Sequence, residues 1–187
     1  LSASAQLYDR LLTGNFRAFS EAATAAAAEG GLMQFYDQTA IPALARAQAD
    51  HQAGLLPDHQ ARRIAFAALR LARDLQSLGD ENGGSARSHP SADIGPAREH
   101  GRLVAVIGAQ TALDDAAAAM LAGIMQAKGA RAQVLPHDRA PALTGKPAVL
   151  VVVTLDPAPG PSLDRRWRGL RRQLPETRLG VAMWSSQ

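Results

Sequence analysis

The 187-residue sequence contains no cysteine, which excludes disulfides, thiolate nucleophiles, zinc–cysteine sites and iron–sulfur clusters. Aromatic residues make up 4% of the chain, so large rings can fill little of any core. Alanine supplies much of the 47% hydrophobic fraction. It favours helix but buries little area, so closely spaced helices are expected. Lysine occurs only at Lys128 and Lys146, leaving arginine to carry the formal charge of +3 and the pI near 9.9. This balance is basic but falls short of a nucleic-acid-binding composition. No apolar run approaches the roughly 18 residues that span a bilayer, and no signal peptide is visible. The sequence opens at Leu1 rather than methionine, which fits disorder or processing at the start and also fits a fragment of a longer protein.

Residues 1–78 read as four helices with short links, the pattern of a small antiparallel bundle. The first ends at Gly14, and Asn15 can cap the second. The third runs from near Leu32 to Gly54 and should kink at Pro42. Pro57 suits the first turn of the fourth, whose Ile64, Ala67, Ala68, Leu71 and Leu75 share one face. Residues 79–101 have the glycine, serine and proline content of a linker. From residue 102 the period changes. Apolar runs at 103–108, 130–136, 148–155 and 178–184 read as buried parallel strands. Helices are expected from about Ala112 to Lys128 and over 162–174, the latter with Leu163, Trp167, Leu170 and Leu174 on one stripe. The expected fold is therefore α/β: a helical bundle, then a small doubly wound parallel sheet of about four strands, ordered 2-1-3-4, over residues 102–187. The bundle should stack near the carboxyl ends of the strands.

Candidate chemistry is sparse. The loop Gly108-Ala109-Gln110-Thr111 joins the first strand to a helix N-terminus, which can accept an anion. It lacks the dinucleotide glycine fingerprint, and Asp114 and Asp115 oppose a phosphate by charge. Thr111 and Asp114 resemble a capping box. The topological switch point makes Gly108, Ala109, Gln110, Thr111, Thr154 and Asp156 the expected ligand-binding residues, between the loops after strands one and three. The histidines His51, His59, His89, His100 and His137 show no metal spacing and read as scattered surface residues. No nucleophile elbow or catalytic carboxylate pair stands out. Arg165, Arg166, Arg168, Arg171 and Arg172 read as a solvated helical face. A sharper reading is contact with anionic lipid headgroups or an acidic partner segment.

Two resemblances follow. The stretch "LLTGNFRAFSEAATAAAAEGGLMQFYDQTAIPALARAQADHQAGLL" resembles the four-helix cap of cobalamin-binding domains of the methionine-synthase and light-sensing-repressor kind. The second half resembles the flavodoxin-like domain beneath that cap. More specifically, "LYDRLLTGN", "FYDQTAIPAL", "LDDAAAAML", "VLPHD", "TLDP" and "LRRQLPETRLGVAMW" resemble, in order, the soluble C-terminal region of permease-like proteins of the autoinducer-2 exporter family. The cobalamin comparison implies an Asp-x-His-x-x-Gly loop with a cobalt-ligating histidine. Here the matching stretch, Ala109 to Asp114, has none. The cap tryptophan corresponds to His51, and the cap Glu-His pair to Ala61 and Arg62.

These resemblances imply a non-catalytic regulatory or interaction domain of a permease-like membrane transporter, on the cytoplasmic face of the inner membrane. Neither cofactor nor metal is expected. The expected partner is the membrane portion of the same protein, nucleic acid is not one, and self-association is left open. The alternative is a sensor binding cobalamin, another tetrapyrrole or a nucleotide between cap and α/β lobe.

Overall fold

Short polar side chains and glycines set the helix ends of the first half. In the computed structural model, which describes residues 2–29, 31–84, 102–137, 147–158 and 160–184, α1 (Ala3–Leu12) starts on Ser2, whose hydroxyl accepts from the Ala5 amide. It is followed by Gly14 at φ +76, a left-handed conformation that glycine adopts without a Cβ penalty. Asn15 caps α2 (Phe16–Ala28) by accepting from the Ala18 amide. The third expected helix is α3 (Leu32–Phe35), a π-turn (Tyr36–Ala40) and α4 (Ile41–Gln52) in succession. The Ile41 amide reaches back five residues to the Tyr36 carbonyl. Pro42 has no N–H and crowds the preceding turn, and the widened π-turn sits where that crowding falls. The Tyr8 hydroxyl donates to Asp50 at 2.6 Å and ties α1 to α4.

Helix α5 (Asp58–Gly84) begins after Pro57 and runs six residues into the segment expected to be linker. Gly79 does not end it, because each residue added to a running helix brings its own hydrogen bond. The rest of the expected linker, residues 85–101, lies outside the described residues. So does most of the crossover expected after residue 137.

Strands β1 (Val104–Gly108), β2 (Ala132–Leu135), β3 (Val149–Thr154) and β4 (Arg178–Met183) form one parallel sheet in the order β2-β1-β3-β4. Both the strands and their order match the expectation. The register places Ala132, Val104, Val149 and Arg178 in a single row. Helix α6 (Ala112–Ala127) covers one face and α7 (Pro161–Gln173) the other.

Helix α6 lies between two layers. Its Ala116, Ala117, Ala118, Ala119 and Ala122 are all buried, and their core cluster joins strand residues Val106 and Val153 to Ile64, Ala68 and Leu71 of α5. Alanine keeps such a helix thin enough for sheet and helix to approach it from opposite sides. The hydrophobic core is thus continuous from the first half into the second. Under α7, Leu163 and Leu170 are buried against Ala105, Ile107, Leu150 and Val152, with Trp167 and Leu174 partly covered. Among the described residues, no helix is long and apolar enough to cross a membrane.

A larger side chain inside the α6 sandwich should therefore be costly. Ala118→Leu should lower unfolding stability by about 1–3 kcal/mol, seen as a lower urea midpoint. The same change at exposed Ala25 should stay within about 0.5 kcal/mol. Equal midpoints for the two variants would contradict the two-sided packing.

Candidate functional site at the carboxyl edge of the sheet

The loops after β1, β2 and β3 meet the first turn of α6, and two adjacent aspartates hold them there. Gly108 makes the approach possible. A Cβ at this position would lie 2.7 Å from the Asp115 amide nitrogen, 2.9 Å from the Asp114 carbonyl carbon, and on the Asp115 carboxylate. Thr111 caps α6 by accepting from the Asp114 amide at 3.1 Å. In return, Asp114 Oδ2 accepts from the Gln110 and Thr111 amides, each at 3.0 Å. This is the capping box expected from the sequence.

Asp114 also does something the sequence does not announce. Its Oδ1 accepts from the Leu155 amide at 2.9 Å, in the loop after β3. The carboxylate is 2% exposed and receives three backbone N–H groups, which offsets the cost of burying its charge. Asp115 does the same for β2: its Oδ1 accepts from the His137 amide at 2.9 Å, and its Oδ2 pairs with His137 Nδ1 at 2.6 Å. Burial pushes the Asp115 carboxyl above the usual carboxylate range, and His137 pulls against that shift.

Reading His137 as a scattered surface histidine is thus corrected. It is half-buried and belongs to this edge, and its spacing from Asp115 gave no signal. His51 clasps the turn after α4, with Nδ1 3.0 Å from the Leu56 carbonyl oxygen. His59 is exposed, and His89 and His100 lie outside the described residues.

All six expected ligand residues gather at this edge, and most of their polar groups are already engaged. The Ala109 amide donates to the Val153 carbonyl. Gln110 Nε2 donates to Ser162 Oγ at 2.6 Å. Thr111 Oγ1 donates to Gln48 Oε1 at 3.1 Å. Thr154 Oγ1 accepts from the Asp156 amide, and Asp156 Oδ2 accepts from Gln52 Nε2 at 3.1 Å. Gln48 and Gln52 both come from α4, while Asp37 of the π-turn accepts from Trp184 Nε1 at 3.3 Å. The helical half therefore bonds directly to the carboxyl edge through α4 and the π-turn, while α5 packs along α6. An open groove of about 260 Å³ lies elsewhere, lined by Leu7, Arg10, Ala22, Phe35 and Thr39 among others.

A corrin held by a histidine does not fit these residues. The loop after β1 offers Gln110 and Thr111, poor substitutes for imidazole at cobalt. A planar macrocycle between α4 and the edge would have to break the Gln48–Thr111 and Gln52–Asp156 bonds. Among the described residues, no three carboxylates or imidazoles are placed to hold a metal ion.

Of the five arginines of α7, Arg165, Arg168, Arg171 and Arg172 are exposed as expected. Arg166 is not on that solvated face. It is half-buried and its Nε has no hydrogen-bond partner among the described residues. Burial lowers its pKa, opposed by the charges of Asp115 and Asp114. No family model matches the chain, and no curated protein matches it.

Two outcomes follow from this geometry. Gly108→Ala should destabilise the fold by about 1–3 kcal/mol through overpacking against α6, and an unchanged melting temperature would disprove the close approach. The folded chain also holds a proton on Asp115 at pH values where the unfolded chain has released it. The stability contributed there accordingly falls as pH rises through that window. His137→Ala should raise the Asp115 carboxyl pKa further, read from its side-chain carbon-13 shift; an unmoved midpoint would refute the coupling.

Proposed function

We propose that this chain is a non-catalytic regulatory or interaction domain of a permease-like membrane transporter, borne on the cytoplasmic face of the inner membrane. In this reading a helical cap is held over a flavodoxin-like α/β lobe whose ligand edge is used for internal contacts. The observation that carries it is the direct bonding of α4 to that edge, Gln48 to Thr111 and Gln52 to Asp156. Open α/β sheets bind ligands outside the carboxyl ends of their strands. Here those loops are fastened to α6 and to the cap.

The neutral Gln48–Thr111 bond contributes about 0.5–1.5 kcal/mol and the bond from Gln52 to the Asp156 carboxylate about 1.5–3 kcal/mol, so the closure can be released at a cost of a few kcal/mol. That suits a module whose halves respond to an attached partner. The family side of the reading is supported by the ordered motifs from "LYDRLLTGN" to "LRRQLPETRLGVAMW". The alternative, a sensor for cobalamin, another tetrapyrrole or a nucleotide, requires its ligand to displace the cap bonds.

Two measurements separate these readings. The genomic reading frame upstream of Leu1 should encode a series of membrane-spanning helices, and a start codon directly before Leu1 would overturn the transporter assignment. Mixed with hydroxocobalamin and desalted, the purified chain should emerge colourless. A stoichiometric red protein with a histidine-ligated spectrum would favour the sensor.

A further inference from the structure

The edge opposite the candidate site gathers positive charge from segments far apart in the sequence. Arg102 lies two residues before β1, Arg131 immediately before β2, and Arg178 opens β4. The common register of Ala132, Val104, Val149 and Arg178 keeps these arginines within about two residues, or ~7 Å, along the strand direction. With neighbouring strands ~4.8 Å apart, the row from β2 to β4 spans roughly 15 Å. Helices α6 and α7 return from the carboxyl edge and finish here. They add Lys128 at the end of α6 and Arg171 and Arg172 in the last turn of α7.

All six cations are exposed, and none is ion-paired with a described residue. The carboxylate described at this edge is Glu176, in the turn before β4. Asp114, Asp115, Asp156 and Asp164 all lie toward the other edge. Among the described residues of the α/β half, exposed cations thus gather at the amino edge while these four aspartates lie toward the carboxyl edge.

We propose that this amino edge is a docking face for an anionic lipid surface. It is a row of strand starts and helix ends. Duplex nucleic acid is read by an element that enters a groove, and single strands are held by stacked aromatic rings. The aromatic residues of the α/β half, Trp167 and Trp184, are committed elsewhere: Trp167 packs between α7 and the sheet, and Trp184 bonds to Asp37 at the opposite edge. A bilayer asks only for coplanar cations. The contact is electrostatic, acts over a Debye length of about 8–10 Å, and turns the carboxyl edge away from the membrane. Arg165 and Arg168 lie more than a turn before the end of α7 and contribute less. The inference goes beyond the transporter reading and does not depend on it, because the chain alone should bind.

Flotation of the full chain tests this, with vesicles of phosphatidylcholine alone or with phosphatidylserine added. Binding to the phosphatidylserine vesicles only, released by added salt, is expected. Each edge arginine changed to alanine should weaken binding about fivefold. Arg131→Glu combined with Arg178→Glu should abolish it, with Arg102→Ala as a milder second variant. The pair Arg165→Glu and Arg168→Glu should bind nearly as the parent does. Circular dichroism and the urea midpoint check that each variant is folded. Absence of binding to either vesicle, equal binding to both, loss only in the mid-helix pair, or preference for a duplex oligonucleotide would each overturn the proposal.

Discussion

The α/β half depends on one buried carboxylate. Asp114 sits at 2% exposure in the first turn of α6 and accepts from three backbone amides, two in the loop after β1 and one in the loop after β3. Those donors share a charge near a helix N-terminus, where the dipole favours it. The central strand pair and α6 are thereby fixed at the end of the sheet where loops usually diverge. Asp115 extends the arrangement to β2 through His137. A glycine at 108 is required because the helix carrying both aspartates lies against the end of β1.

The second constraint is thickness. A helix buried on both sides favours small side chains, and α6 buries five alanines beside Leu113 and Met120. This places α5 within reach of the sheet layer, and the Gln76 side chain donates to the Ala119 carbonyl across that seam. The helical half is packed along α6 and bonded by α4 to the carboxyl edge.

Charge is organised by the same topology. Parallel strands with returning helices put every strand start and helix end at one edge, and every strand end and helix start at the other. Among the described residues, six exposed basic residues gather at the first edge, and Asp114, Asp115, Asp156 and Asp164 lie toward the second. The small net charge conceals this separation.

Much was legible in the residues themselves. Gly14, Gly54 and Gly129 mark helix ends and all adopt positive φ. Asn15 and Thr111 cap the helices they precede, and the four apolar runs mark the four strands, with crossovers limited to one hand. These features are local, or follow from a rule that acts on local features. The tertiary structure alone decided what Asp114 and Asp115 hold, because their partners Leu155 and His137 are 41 and 22 residues away. It also drew Arg166 out of the solvated face, let α5 run past Leu78, and joined α4 to the ligand edge. Hydrogen bonds and charge pairs of that kind depend on distances between folded elements, and the sequence period does not encode those distances.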